Sequence, residues 1–237
     1  MAGLSRRFTE AGYKLPKYML PLHGRSVFAH AVTSFARYFT SETFLFIARD
    51  VAGTPDFIAD ECRKLGIADA QVCVLDRETA GQAETVELGL IESGAGDQAP
   101  LTIFNIDTFR DDFRFPDADW FRTSAGYLEV FKGEGSNWSY VEPLAGASEP
   151  LAARTTEKVP VSDLCCDGLY HFATTGDFHF ALTQERKAPS MPELYVAPIY
   201  NHLIAAGRKV HYDLIPATAI TFCGVPAEYE ALLKKPL

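Results

Sequence analysis

Leu101-Thr102-Ile103-Phe104-Asn105-Ile106-Asp107 reads as a short buried strand that ends on a carboxylate. Two more apolar runs precede it, Thr43 to Ala48 (TFLFIA) and Gln71 to Leu75. Helical patterns separate the three. From Ser26 to Phe39, the residues Val27, Phe28, Ala31, Val32, Phe35 and Phe39 recur at helical spacing, with Ser26 as the cap. Pro55 to Leu65 repeats that spacing and stops at Gly66, and Ala83 to Ile91 forms the next helix. Strands alternating with short helices predict an open, largely parallel α/β sheet. Ligands of such sheets collect at the carboxyl ends of the strands, where Asp107 stands.

Beyond about residue 120 the texture changes. Tyr127 to Phe131, Trp138 to Val141 and Leu169 to Phe172 are strand-like, with turns such as Gly133-Glu134-Gly135 between them. Glu193 to Ala206 predicts a helix ending at Gly207. Lys209 to Ile215 and Ala219 to Phe222 return to strand, and Ala227 to Leu233 closes as a helix behind Pro226. There is no internal repeat. The simplest account is one domain over 1–237 with a mixed-sheet second half.

A chain of 237 residues, 47% hydrophobic, can bury a full core. Its net charge of −9 excludes a basic nucleic-acid footprint. A polyphosphate ligand would therefore need a local pocket, with a divalent cation between carboxylates and phosphates. Cys62, Cys73, Cys165, Cys166 and Cys223 lack the spacing of a zinc or redox motif and read as reduced thiols of a cytoplasmic protein. Adjacent Cys165 and Cys166 read as small strand residues facing opposite sides. No apolar run has membrane-spanning length, and no signal-peptide pattern opens the chain. The six histidines show no metal-ligand spacing, and Tyr195 to Asn201 reads as core.

Three separated patches carry chemistry. The first is Met1-Ala2-Gly3-Leu4-Ser5-Arg6-Arg7, followed by Leu15-Pro16-Lys17. Small residues let backbone N–H groups approach an anion, and the cations offset its charge. An exposed basic N-terminus is the plainer reading of the arginines alone. The second patch is Phe104 to Asp107. Asp107 is placed either for Mg²⁺ or to cap a following turn; beside the first patch, the metal is favoured. The third is Thr156-Glu157-Lys158 with Asp167-Gly168-Leu169-Tyr170-His171-Phe172, where Lys158 reads either as a phosphate ligand or as half of a surface Glu–Lys pair.

In this order the patches resemble the nucleotidyltransferase family that makes activated sugars, the sugar-phosphate nucleotidylyltransferases. Ala2-Gly3, Arg7 and Pro16-Lys17 look like its opening signature, Asp107 like its aspartate after a buried strand, and Glu157-Lys158 with Gly168 to Phe172 like its acceptor motif. Glu78 to Ala83 occupies the place of its base-reading loop, and Gly224-Val225-Pro226 looks like its late Gly-Thr-Pro turn.

The resemblance implies a Rossmann-like, GT-A-like fold, with a mixed, mostly parallel sheet flanked by helices. Residues 1 to about 120 would bind nucleotide and about 121–237 the acceptor. The implied reaction moves a nucleoside monophosphate from CTP, UTP or dTTP to a sugar 1-phosphate or other small phosphorylated acceptor, releasing pyrophosphate. Capsule or surface-polysaccharide precursor synthesis is the implied setting. Arg7 would hold the pyrophosphate portion, Lys17 the α-phosphate and Asp107 Mg²⁺. Ala2, Gly3, Leu4, Ser5, Thr79, Gly81, Gln82 and Asn105 would contact the nucleotide. Glu157, Lys158 and Gly168 would serve the acceptor, with Trp138 and Tyr140 either lining its pocket or packing in the core. Neither nucleic acid nor membrane is an expected partner; a homo-oligomer is compatible.

The chain departs from the family pattern in three places. Ser5 stands where the family usually has glycine. Phe222-Cys223 stands where many members have a second metal-binding aspartate. The loop also begins at the first residue, so the strand that normally leads into it is expected upstream in the natural protein. Two other readings stay in view, a glycosyltransferase on a similar sheet and a catalytically silent nucleotide sensor. The former usually shows Asp-x-Asp where this chain has Asn105-Ile106-Asp107.

Overall fold

The computed structural model describes Met1, Gly3 and residues 5–235. Ala2 and Leu4, expected in the phosphate loop, lie outside the described residues. In chain order the first elements are α1 (Arg6–Glu10), β1 (Pro21–Leu22), β2 (Arg25–Ser26), α2 (Val27–Thr33), β3 (Thr43–Arg49), α3 (Thr54–Leu65) and β4 (Asp69–Leu75). Next come α4 (Gln82–Ser93), β5 (Leu101–Phe104), β6 (Thr108–Arg110), β7 (Gly126–Lys132), β8 (Ser139–Pro143), β9 (Ala152–Glu157) and β10 (Leu164–Phe172). Then follow α5 (Thr175–Lys187), α6 (Val196–Ala205), β11 (Val210–Leu214), β12 (Ile220–Phe222) and α7 (Pro226–Leu233). The chain divides into two compact units. One comprises Met1–Thr79, Asn105–Arg114 and Ala219–Leu237; the other comprises Ala80–Phe104 and Phe115–Thr218.

In the first unit Ser26 caps α2 as expected, accepting from the Ala29 N–H at 3.0 Å. The same hydroxyl donates to Glu61 of α3, so one side chain serves two helices. Neighbouring residues of α2 enter two apolar clusters. Val27 joins Phe8, Leu20, Leu22, Cys223 and Tyr229. Phe28 and Val32 join Tyr18, Phe39, Phe46, Ile58 and Cys62. The helix expected to reach Phe39 ends at Thr33. Thr33 Oγ1 bonds back to the Ala29 carbonyl at 2.6 Å, and the Ser34 carbonyl accepts from Phe113 N at 3.1 Å. These bonds draw the backbone out of the helical ladder, and Ala36–Tyr38 continues as a 3₁₀ turn. The β3 and β4 strands pair in parallel. The β6 and β12 strands pair antiparallel, a short ladder that the sequence reading did not foresee on the β6 side.

In the second unit β10 is the central strand, buried along all 9 residues. It runs antiparallel to β7, β8 and β5, while β11 lies parallel to β7 and β9 antiparallel to β8. The result is a mixed sheet, with α5 and α6 as helices of the same unit. Its register shifts between Cys166 and Tyr170, where Gly168 adopts φ 101°. A bulge needs that positive φ, and glycine supplies it without steric cost. Cys165 and Cys166 lie within β10, and all five cysteines are free and buried. The α5 helix escaped the sequence reading because one of its inward positions is Glu185, which interrupts the apolar stripe of Phe178, Ala181 and Leu182. Glu185 is buried and satisfied by Ser190 N, Ser190 Oγ and His202 Nε2, each at 2.6 Å. Among the described residues no helix is long and apolar enough to cross a membrane.

Gly126 marks the tightest packing of this sheet: a Cβ there would lie 2.5 Å from the His171 carbonyl oxygen and 2.9 Å from Tyr200 Cε1. Tyr200 cannot yield easily, because its ring stacks on Phe172 at 4.3 Å and its hydroxyl donates to that same carbonyl at 2.8 Å. Gly126→Ala is therefore expected to lower unfolding free energy by about 1–3 kcal/mol, the usual cost of overpacking. Urea denaturation checks this; an unchanged midpoint would disprove the packing argument.

Candidate active site

Two cations and one carboxylate of the first unit stand on short, well-anchored segments. Phe8, buried in α1, ties the opening loop into the cluster with Tyr229 and leaves Arg6 and Arg7 exposed. Ser5 caps that helix at φ 49°, the left-handed conformation that accounts for glycine in the related pattern. Met1 N donates to the Ile47 carbonyl of β3 at 2.7 Å. Lys17 begins a 3₁₀ turn after Pro16. Its neighbour Tyr18 is buried in the cluster around Phe28 and bonds Thr54 Oγ1 at 2.8 Å, which fixes the backbone under Lys17. Asp107 extends the β6–β12 ladder by one step, its carbonyl accepting from Cys223 N at 2.8 Å. The outcome is an ion pair: Lys17 Nζ donates to Asp107 Oδ2 across 90 residues of sequence. Asn105 supports the turn between, its carbonyl accepting from Thr108 N at 3.3 Å.

Asp107 is a single carboxylate: among the described residues no group of three or more His, Cys, Asp or Glu side chains could hold a metal ion. Gly224 leaves a cradle beside the carboxylate; a Cβ there would sit 3.0 Å from Asp107 Oδ2 and 3.7 Å from Glu228 Oε2. Glu228 Oε2 accepts from the N–H groups of Gly224 and Val225, at 2.7 and 3.2 Å, and so holds the turn that keeps the cradle open. Cys223 does not replace an aspartate chemically. Burial, then the nearby Asp107 carboxylate, pushes its thiol up to about 12, so it stays protonated. Mg²⁺ takes oxygen ligands, commonly one or two carboxylates completed by water and substrate phosphates, and Asp107 fits that set.

In the second unit the base-loop residues are clamped. Leu194 N donates to the Ala80 carbonyl and Ala83 N to the Leu194 carbonyl, both at 2.9 Å. Gly81 lies between these bonds at φ 152°, where a Cβ would stand 2.5 Å from Leu194 O. Gln82 opens α4, and Thr79 belongs to the first unit. Elsewhere in the second unit, Glu157 ends β9 buried, and its register partner Ser139 donates to it. Burial raises the Glu157 carboxyl above its usual range, against the opposing pull of the Ser139 bond and Lys158. Lys158 follows at φ 57°, its N–H bonded to the Trp138 carbonyl at 2.9 Å. Its Nζ lies 2.7 Å from Tyr195 OH and 3.9 Å from Glu157 Oε1.

No protein-family model matches the chain, and no curated protein does. Solved structures do match. A nucleoside-diphosphate-sugar pyrophosphorylase from Vibrio cholerae RC9 is 47% identical, with TM-score 0.94, over 99% of this chain and 98% of that one. The chain belongs to the nucleoside-diphosphate-sugar pyrophosphorylase family. It is thus an enzyme of the nucleotidyltransferase type. An inositol-1-phosphate CTP transferase from T. maritima is 13% identical, with TM-score 0.72, over 98% of this chain and 92% of that one. A UDP-glucose pyrophosphorylase from Acinetobacter baumanii is 15% identical, with TM-score 0.71, over 98% and 89% respectively. These two share the fold.

Of the residues singled out from sequence, Lys17 meets Asp107, and Glu157 lies beside Lys158. Tyr140 is 1% exposed with its hydroxyl on the Gly135 carbonyl, which is the core alternative for that residue. Trp138 packs edge-to-face on Phe131 at 5.2 Å and donates to the Glu134 carbonyl at 3.3 Å. Gly168 serves the β10 bulge. Sequence reading missed Ser139, Leu194 and Tyr195, whose roles arise from cross-strand register and long-range contact. Glu228 carried a local signal, a glutamate at the third position of a helix opened by proline.

Gly81→Ala should force Leu194 away and weaken both clamp bonds, because neither the space nor the φ admits a side chain. Hydrogen exchange at the Ala83 and Leu194 amides should accelerate severalfold; unchanged protection of both would refute the clamp.

Proposed function

We propose that this enzyme transfers a nucleoside monophosphate from CTP, UTP or dTTP to a sugar 1-phosphate or similarly small phosphorylated acceptor. A phosphate oxygen of the acceptor attacks the α-phosphorus, a P–O bond forms, and the bond to the β-phosphate bridging oxygen breaks to release pyrophosphate. Such transfer depends on alignment and charge neutralisation more than on covalent chemistry by the protein. The observation that supports the reading is the Lys17–Asp107 ion pair, which brings the lysine after Pro16 to the carboxylate beside the β6–β12 ladder.

In this reading Gly3 and Ser5 present backbone N–H groups to the phosphates, Arg7 holds the pyrophosphate portion, and Lys17 turns to the α-phosphate. Asp107 holds Mg²⁺, which when bound would neutralise phosphate charge. Thr79, Gly81, Gln82 and Asn105 contact the nucleotide. Lys158 holds the acceptor phosphate, with Glu157 and Gly168 shaping that side. The hydrogen bond to Tyr195 favours the charged form of Lys158, as a phosphate ligand requires. Five free cysteines accord with a reducing, cytoplasmic setting. Precursor supply for capsule or surface polysaccharide is the proposed use.

Pyrophosphate release measured across nucleoside triphosphates and phosphorylated acceptors, with Mg²⁺, tests the reading. At least one pair should turn over; silence from every pair would sink it. Lys17→Ala and Asp107→Ala should each lower kcat/KM by about 10²–10³, the scale for removing one preorganised electrostatic contact. Near-normal turnover by either folded variant would remove that residue from its role.

A further inference from the structure

Lys158 has a half-exposed side chain on a flexible four-carbon stem, so holding its ammonium in one place needs a partner. That partner is Tyr195. The Lys158 ammonium donates to the Tyr195 hydroxyl at 2.7 Å and lies 4.7 Å from the ring centroid. Tyr195 is itself fixed from two sides. On its N-terminal side, Leu194 makes the two backbone bonds that clamp Ala80 and Ala83 around Gly81. On its C-terminal side, α6 begins at once with buried Val196, Ala197, Pro198, Ile199 and Tyr200.

The α6 helix is also fastened to β9, the strand that leads into Lys158. Thr155 N donates to Asn201 Oδ1 and Asn201 Nδ2 to the Thr155 carbonyl, both at 2.8 Å; Thr155 Oγ1 donates to the Ala197 carbonyl at 2.6 Å. The lysine and the tyrosine therefore stand on elements held together by three hydrogen bonds.

We propose that Tyr195 is the positioning residue for the acceptor: its hydroxyl sets the Lys158 ammonium where an acceptor phosphate binds. The inference rests on the reading of Lys158 as the acceptor-phosphate ligand. An ammonium carries three N–H donors. One is directed to Tyr195, which leaves two to meet phosphate oxygens from a defined direction. The tyrosine hydroxyl spends its acceptor site on Lys158 and acts on the acceptor through that ammonium.

The test is steady-state kinetics of the full chain, with the triphosphate and sugar 1-phosphate pair that releases pyrophosphate fastest. Tyr195→Phe keeps the ring and removes only the hydroxyl. It should raise the acceptor KM about tenfold, a typical loss for one hydrogen bond to a charged group, and leave the triphosphate KM within about twofold. In a Lys158→Met background the same change should have no further effect, because the hydroxyl acts through the lysine. If Lys158→Met raises the acceptor KM and Tyr195→Phe does not, the positioning role is overturned while the Lys158 reading stands. If neither variant changes the acceptor KM, the Lys158 reading falls and takes the inference with it. An equal rise in both KM values for Tyr195→Phe would indicate general structural damage and also overturn it.

Discussion

The pairing of Lys17 with Asp107 is the constraint around which the first unit is organised. Each group is mostly withdrawn from water, with 20% and 23% of its side chain exposed. A withdrawn charge without a partner is costly, so each neutralises the other. The surrounding structure keeps them adjacent: Tyr18 locks the turn below the lysine, the β6–β12 ladder locks the aspartate, and Glu228 braces the turn at Gly224. In the proposed reaction the pair opens by exchange. Lys17 would then face a phosphate, and Asp107 would be the carboxylate left to hold a metal ion. Neither charge has to be stripped of a full hydration shell at that moment.

Two of the non-glycine residues at positive φ, Ser5 and Lys158, adjoin the proposed site, and Gly81 takes a positive φ that only glycine adopts freely. For a residue with a side chain such a conformation costs on the order of 1–3 kcal/mol and persists only where neighbours over-determine it. Here the neighbours are identifiable: Phe8 buried behind Ser5, the Trp138 carbonyl on Lys158, and Leu194 around Gly81. The second unit shows the same economy in Glu157, a buried carboxylate kept serviceable by one hydroxyl opposite it in the sheet.

Much of this was legible in the sequence, for local reasons. Ser26 and Gly66 mark helix ends because capping and left-handed termination are short-range chemistry, and both act as expected. Asp107 and Lys17 could be named because a carboxylate after a strand and a lysine after proline are recognisable residue by residue. Their meeting was not legible, since it depends on a turn and a ladder 90 residues apart. Nor was α5, whose apolar stripe is broken by a satisfied Glu185, nor Tyr195, which reads as one more aromatic in an apolar run. A residue whose significance comes from a partner 37 positions away leaves no local trace.

The central claim is that Asp107 carries the metal that accompanies the phosphates. Electron paramagnetic resonance titration of Mn²⁺ with pyrophosphate reads this without knowledge of base or acceptor. The account predicts a ternary complex with the wild-type enzyme, weakened at least about tenfold in Asp107→Asn, the loss of roughly 1.4 kcal/mol or more. Equal Mn²⁺–pyrophosphate affinity in the two proteins would contradict it.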